Sequence, residues 1–186
     1  MKQSNGKIAG TLIFVGAVQF ILGMLVAECL YPGYSVSENY ISDLGKLDAA
    51  SAPVFNGSVF VLGLTIVVSA YFLRQIAPRK VFLGFFVLCG IGAMGVGVFP
   101  EDFGMVHGIV SLIAFLFGAL SAIGSYKIQK PPLSYFAVVL GLTSLLALIL
   151  FMVGVYLGLG KGGMERMIAY PMLLWAIGFG GHLIKE

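Results

Sequence analysis

Charge is what this chain lacks: only 10% of its 186 residues are Asp, Glu, Lys or Arg, against about a quarter in an ordinary soluble domain. So little charge excludes a solvated globular surface of normal composition. Cysteine is nearly missing as well. Cys29 and Cys89 stand far apart and in no CxxC or metal-type spacing, so neither a disulfide framework nor a thiolate zinc site is expected. Histidine is confined to His107 and His182. Basic residues never gather into a stripe; the formal charge of +3 is spread over short connections, which argues against nucleic acid as a partner.

What is present in excess is long apolar sequence. Runs recur at Ile8 to Leu30, Val54 to Leu73, Val81 to Phe99, Val106 to Tyr126, Leu133 to Leu157 and Met167 to Ile184, each about the 17 to 25 residues that cross a bilayer as a helix. Lipid offers no partner to an exposed backbone group, and the alternation of a barrel strand is missing, so these runs predict helices. The expected fold is an all-α integral membrane protein of six transmembrane helices in one bundle, forming a single domain over residues 1–186. The first run exceeds a secretory apolar segment, and Glu28 precedes Cys29 where a lipoprotein cleavage site needs a small residue, so helix one is expected to stay attached.

Orientation follows from the cations. With both termini in the cytoplasm, Lys2, Lys7, Arg74, Arg79, Lys80, Lys127, Lys130 and Lys185 fall inside, leaving Lys46, Lys161 and Arg166 outside. This arrangement satisfies the positive-inside rule and predicts a multi-pass protein of the cell membrane. All acids except Glu186 then fall on or near the outer side. Acids contribute little to topology, so their segregation calls for a second cause. On this orientation His182 lies a membrane's width from His107, too far to share a metal.

The first outer connection, YPGYSVSENYISDLG, places polar Ser35, Glu38, Asn39, Ser42, Asp43 and Lys46 at helical spacing, with Val36, Tyr40, Ile41, Leu44 and Leu47 on the other side. Ser35 and Glu38 match a capping box. The spacing predicts a short amphipathic helix, resting at the membrane interface or lying across the bundle mouth with its polar side lining a pocket. Asp43 is the preferred pocket residue. Arg166, if buried, needs a carboxylate, and Glu28, Asp43, Glu101 and Glu165 are each placed to supply one.

His107 opens the fourth helix after Pro100, Glu101 and Asp102, with Ser111 one turn further on the same face. The acids complement the positive helix end; an ionisable group inside a span marks a ligand or proton site more often than chance. Asn56 and Ser58 sit at the outer part of the second helix, where interhelical hydrogen bonding accounts for them equally well.

Together YPGYSVSENYISDLG, PEDFGMVHGIVSLIAF and GGMERMIAYPMLLW resemble the DUF998 family of prokaryotic membrane proteins, over nearly the whole chain. The ISDLG segment, the histidine opening the fourth helix and the ER-plus-YP pattern of that family correspond here to Ile41 to Gly45, His107, and Glu165, Arg166, Tyr170 and Pro171. The six-helix layout and the ISDLG-like loop are more distantly similar to the Frag1/DRAM/Sfk family, which implies an involvement with lipid.

These readings lead to an extracytoplasmic polar pocket that binds a membrane lipid headgroup. Glu38, Asn39, Ser42, Glu101, Ser111, Glu165, Arg166 and Tyr170 are its expected ligand-binding residues, with Arg166 holding a phosphate or carboxylate. In a catalytic version His107 is the general base or acid, oriented by Asp43, or joins the carboxylates around a divalent ion. The sequence specifies no cofactor and no metal. A solute or proton-coupled transporter and a non-catalytic scaffold are the alternatives. An inner half almost free of ionisable residues, and the want of an inverted repeat, argue against transport.

Overall fold

The computed structural model describes residues 2–77 and 79–185. Six helices in it are long and apolar enough to cross a membrane, and the chain is a multi-pass membrane protein. They are α1 (Lys2–Leu30), α2 (Ala52–Leu73), α3 (Lys80–Val98), α4 (Met105–Gly124), α5 (Leu133–Met152) and α6 (Gly160–Lys185). Short 3₁₀ turns at Ser42–Gly45, Glu101–Phe103 and Ser125–Lys127 punctuate the connections.

Two helix ends beside the site depart from the apolar runs, and both departures shape it. α5 stops at Met152, although the run continues to Leu157, because Gly154 adopts φ +75°. Its amide bonds the Phe151 carbonyl at 3.1 Å and the Val155 amide reaches back to Leu150 at 2.9 Å, the pairing of a Schellman stop. α6 begins at Gly160, a turn and more before Met167. The Ser37 carbonyl accepts its Gly162 amide at 2.9 Å, so a distant loop supplies a cap for the helix start. Glu165 and Arg166 therefore ride on helix rather than preceding it.

The helices pack on their chain neighbours, and α6 closes the circuit on α1. Where α1 and α6 cross, glycines let the backbones touch: a Cβ on Gly10 would lie 2.6 Å from the Gly180 carbonyl, and one on Gly180 would lie 2.7 Å from that of Gly10. Small residues at such crossings are what membrane helices use in place of a hydrophobic driving force. α4 also touches α6, so α5 rests outside that pair rather than facing the centre. A stacked pair, Trp175 on Phe179 with centroids 5.4 Å apart, meets Phe82 and Phe86 of α3 and fills the bundle toward the termini.

The connection between α1 and α2 folds differently from expectation. Its expected amphipathic helix is replaced by turns and the single 3₁₀ turn Ser42–Gly45. Side chains have taken the backbone donors that a helix would use: Asn39 Oδ1 accepts the Ser35 amide at 3.0 Å, Asp43 Oδ2 the Tyr40 amide at 2.8 Å, and Glu165 Oε2 the Ile41 amide. Competition of this kind is what Asn and Asp bring to a loop. Ile41 and Leu44 are buried in the bundle while Val36 and Leu47 are exposed, so the loop covers the bundle mouth with two apolar anchors rather than one continuous face.

Candidate functional site

Arg166 is 5% exposed and holds the loop end together. Its Nη2 donates to Glu28 Oε1 at 2.6 Å and to the Tyr34 hydroxyl at 2.7 Å, while Nη1 donates to the carbonyls of Val36 and Gly162 at 3.0 and 3.1 Å. A guanidinium has five N–H groups in a rigid fork, and only Nε is left without a partner among the described residues. The Tyr34 hydroxyl in turn donates to the Tyr40 carbonyl at 3.0 Å. Burial pushes that phenol up to about 12, outweighing the pull of Arg166, so it stays neutral and can both donate and accept.

Asp43, 3% exposed, is the hub of a second cluster. Its carboxylate accepts the Tyr40 amide, receives Asn39 Nδ2 at 3.3 Å and forms an ion pair with Lys46. Lys46 also lies 3.7 Å from Glu101, and Ser42 Oγ donates to Glu101 at 3.4 Å. The Leu47 amide donates to Asp102 at 3.0 Å, which docks the α3–α4 connection onto the loop. Burial works to raise Asp43, but hydrogen bonds from Lys46, Glu101, Tyr40 and Asn39 outweigh it and hold the carboxyl below its ordinary range. Glu101 moves the other way, raised by burial and by the adjoining Asp43. Of the two neighbouring carboxyls, Glu101 is the one poised to take a proton.

His107 is 9% exposed in the first turn of α4. Nδ1 lies 2.8 Å from the Phe99 carbonyl, which can only accept, so Nδ1 carries the hydrogen. In the neutral ring Nε2 is then an acceptor, and Ser111 Oγ lies 3.2 Å away. This pair lines an open groove of about 370 Å³ with Tyr40, Ser42, Glu101 and Glu165, whose other wall is Leu148, Phe151 and Met152 of α5. Ser42, Ser111, Phe115 and Glu165 also line a central cavity of about 110 Å³, which continues inward past Phe20, Leu62 and Met172 to Phe86 and Trp175. Every helix except α5 contributes to that cavity.

The residues singled out in the sequence thus separate into four groups. Glu101, His107, Ser111, Ser42 and Glu165 share the groove. Asp43 and Asn39 stand behind it, bracing Lys46 and the loop backbone rather than facing His107. The expected Asp43–His107 dyad is replaced by a backbone contact, because the α3–α4 connection turns the Phe99 carbonyl onto Nδ1. Arg166 takes Glu28 as its carboxylate, not Asp43, and is sealed by acceptors of the protein itself instead of offering its fork to a headgroup. Glu38 is exposed beside Ser37, and Tyr170, at 39% exposure, lies on the outer wall of α6 away from the groove.

Tyr34, Tyr40 and Lys46 were not expected at the site. Only Lys46 had a signal, as one of three cations on the acid-rich side and the last of the helically spaced polar positions in the first outer connection. Among the described residues no cluster of three His, Cys, Asp or Glu side chains could hold a metal ion.

Glu165 and Arg166, the ISDLG turn and His107 all lie in the segments that resemble a known family. The DUF998 family, described as a protein of unknown function, matches residues 14–182. The chain belongs to it. The matched span runs from within α1 to the last turn of α6, so the DUF998 match covers all the elements that bring these side chains together here. No curated protein and no solved structure matches the chain.

Proposed function

We propose that this DUF998 member is a cell-membrane protein that binds an amphiphilic lipid at its extracytoplasmic end, taking an amine-bearing headgroup in the groove beside His107. The observation that carries this reading is the junction of two unlike spaces. Ser42, Ser111, Phe115 and Glu165 line both the polar groove and the apolar cavity, so a headgroup in one and an acyl chain in the other would be continuous. Gly108, Leu112 and Met152 are exposed at the rim of the groove, which suits entry from the side of the bundle where lipid lies.

The choice of an amine follows from charge. Phosphate recognition calls for a free Arg or Lys, yet Arg166 donates to Glu28 and the loop, and Lys46 to Asp43. The ionisable lining that remains is Glu101, Glu165 and His107, with Ser42, Ser111 and Tyr40 as neutral partners. A primary ammonium presents three donors to such a set of acceptors. The positive-inside distribution of Lys and Arg supports the extracytoplasmic placement.

Lipids retained by purified protein, identified by native mass spectrometry, test this reading. Aminophospholipid should be enriched in the wild type and fall about tenfold or more in Glu101→Gln, the effect of removing a charge-assisted hydrogen bond. An unchanged lipid profile in Glu101→Gln and His107→Ala sinks it. Lipid turnover that disappears in His107→Ala would extend binding to catalysis, with His107 as base toward Ser111 or water.

A further inference from the structure

The end of the bundle that carries the termini has a second opening, of about 760 Å³, between α3 and the α4–α5 region. Arg79, Lys80, Lys127 and Tyr126 line it alongside Phe82, Phe85 and Val138. None of the three cations has a side-chain ion-pair or hydrogen-bond partner among the described residues, whereas Arg74 nearby rests 4.3 Å from the Tyr71 ring. The acids of the described chain lie at the opposite end. These charges are therefore concentrated on a groove without a counter-ion among the described residues.

A second observation coincides with the first. α3 starts at Lys80 with no side-chain cap on its backbone, and the first amide of the segment to bond a preceding carbonyl of that turn is Leu83, to Arg79. Among the described residues the amides of Lys80, Val81 and Phe82 bond no carbonyl and no side-chain cap, and those same residues line the groove. Unpaired amides at a helix start, together with the positive end of the helix dipole, form an anion site. Membrane orientation accounts for cations at this end, but Lys7 and Arg74 serve that purpose without entering the groove. It does not account for three cations, an uncapped helix and an apolar wall meeting at one place.

We propose that this groove binds an anionic glycerophospholipid, its phosphate held between Arg79, Lys80, Lys127 and the first amides of α3, and an acyl chain lying along Phe82, Phe85 and Val138. The site is separate from the groove beside His107 and stands or falls independently of it. Basic pockets between spanning helices attract acidic headgroups by about fivefold in affinity for each Lys or Arg at the surface.

The test is competition in native mass spectrometry, with delipidated full-length protein offered equal amounts of phosphatidylglycerol and phosphatidylcholine. The wild type should retain phosphatidylglycerol in preference. Each of Arg79→Gln, Lys80→Gln and Lys127→Gln should lower that retention about fivefold, and Lys7→Gln with Arg74→Gln, at the same end but outside the groove, should leave it unchanged. Because the three single variants are read separately, loss of folding in one does not decide the outcome. Equal retention of the two lipids, wild-type retention in all three variants, or an equal loss in the Lys7 and Arg74 control each overturns the proposal. Displacement of the lipid by excess inorganic phosphate would do so too, since it would make free phosphate the ligand.

Discussion

Arg166 and Glu28 form an ion pair of 2.6 Å across 138 positions of chain, joining the start of α6 to the end of α1. The guanidinium is buried and its four Nη contacts reach three segments of the loop end: α1, the first connection and α6 itself. The pair acts as a clasp for the loop that covers the bundle mouth.

Breaking the clasp should be costly. Glu28→Ala should destabilise the protein by about 3 to 5 kcal/mol, since it leaves the buried guanidinium uncompensated; Arg166→Ala, which leaves the partly exposed Glu28 without its partner, should also destabilise, by less. Arg166→Lys should not restore stability, because an ammonium cannot reproduce the fork that reaches Glu28, Tyr34 and two carbonyls together. Thermal unfolding in detergent, completed as a double-mutant cycle, measures the pair. A wild-type midpoint for Arg166→Ala would show that the clasp does not hold the loop.

The carboxyls of Asp43 and Glu101 predict a pH dependence with opposing signs. Asp43 is depressed in the fold, so its contribution is present above its ordinary range and is lost as pH falls through its folded value. Glu101 is raised, so its contribution is complete below its ordinary range and is lost as pH rises through its folded value. Glu101→Gln should remove the second dependence and raise stability toward neutral pH relative to the wild type. Unfolding midpoints followed from acid to neutral pH check this; parallel curves for the two proteins would contradict it.

The central cavity predicts an unusual response to a larger side chain. In a filled core, adding methylenes costs about 1 to 3 kcal/mol. Ala93 lines the cavity, so Ala93→Leu should be accommodated without that loss, and the retained lipid should decrease as the space for its chain fills. The thermal midpoint and the lipid content of one preparation give both readings. A midpoint that falls while lipid is unchanged would mean that the space holds no chain.

Orientation can be read from Cys29, which is exposed in the last turn of α1 at the loop end. In intact cells a membrane-impermeant maleimide should label Cys29, and the label should vanish in Cys29→Ser. Labelling that requires permeabilised cells would reverse the orientation and place the His107 groove in the cytoplasm.

The apolar runs carried the six helices and most of their ends because span length depends on composition alone. They missed the stop of α5 at Gly154 and the early start of α6. The first depends on one glycine's positive φ and the second on a carbonyl donated by Ser37, more than a hundred residues away. The helical spacing of Ser35 to Lys46 was genuine in the sequence but was overruled by Glu165 and Asp43, which bind the loop's amides directly.

Sequence by itself determined that this chain crosses a membrane six times, that all its acids but Glu186 gather at one end and that Glu101, His107 and Arg166 belong to that end. Tertiary structure alone decided which charges face an open space and which neutralise one another. Arg166 found Glu28, Asp43 found Lys46, and His107 was left beside Ser111 at the junction of groove and cavity. The physical reason is that a buried charge takes the partner that desolvates with it at contact distance, and contact across more than a hundred residues is fixed by how helices pack and not by any local pattern.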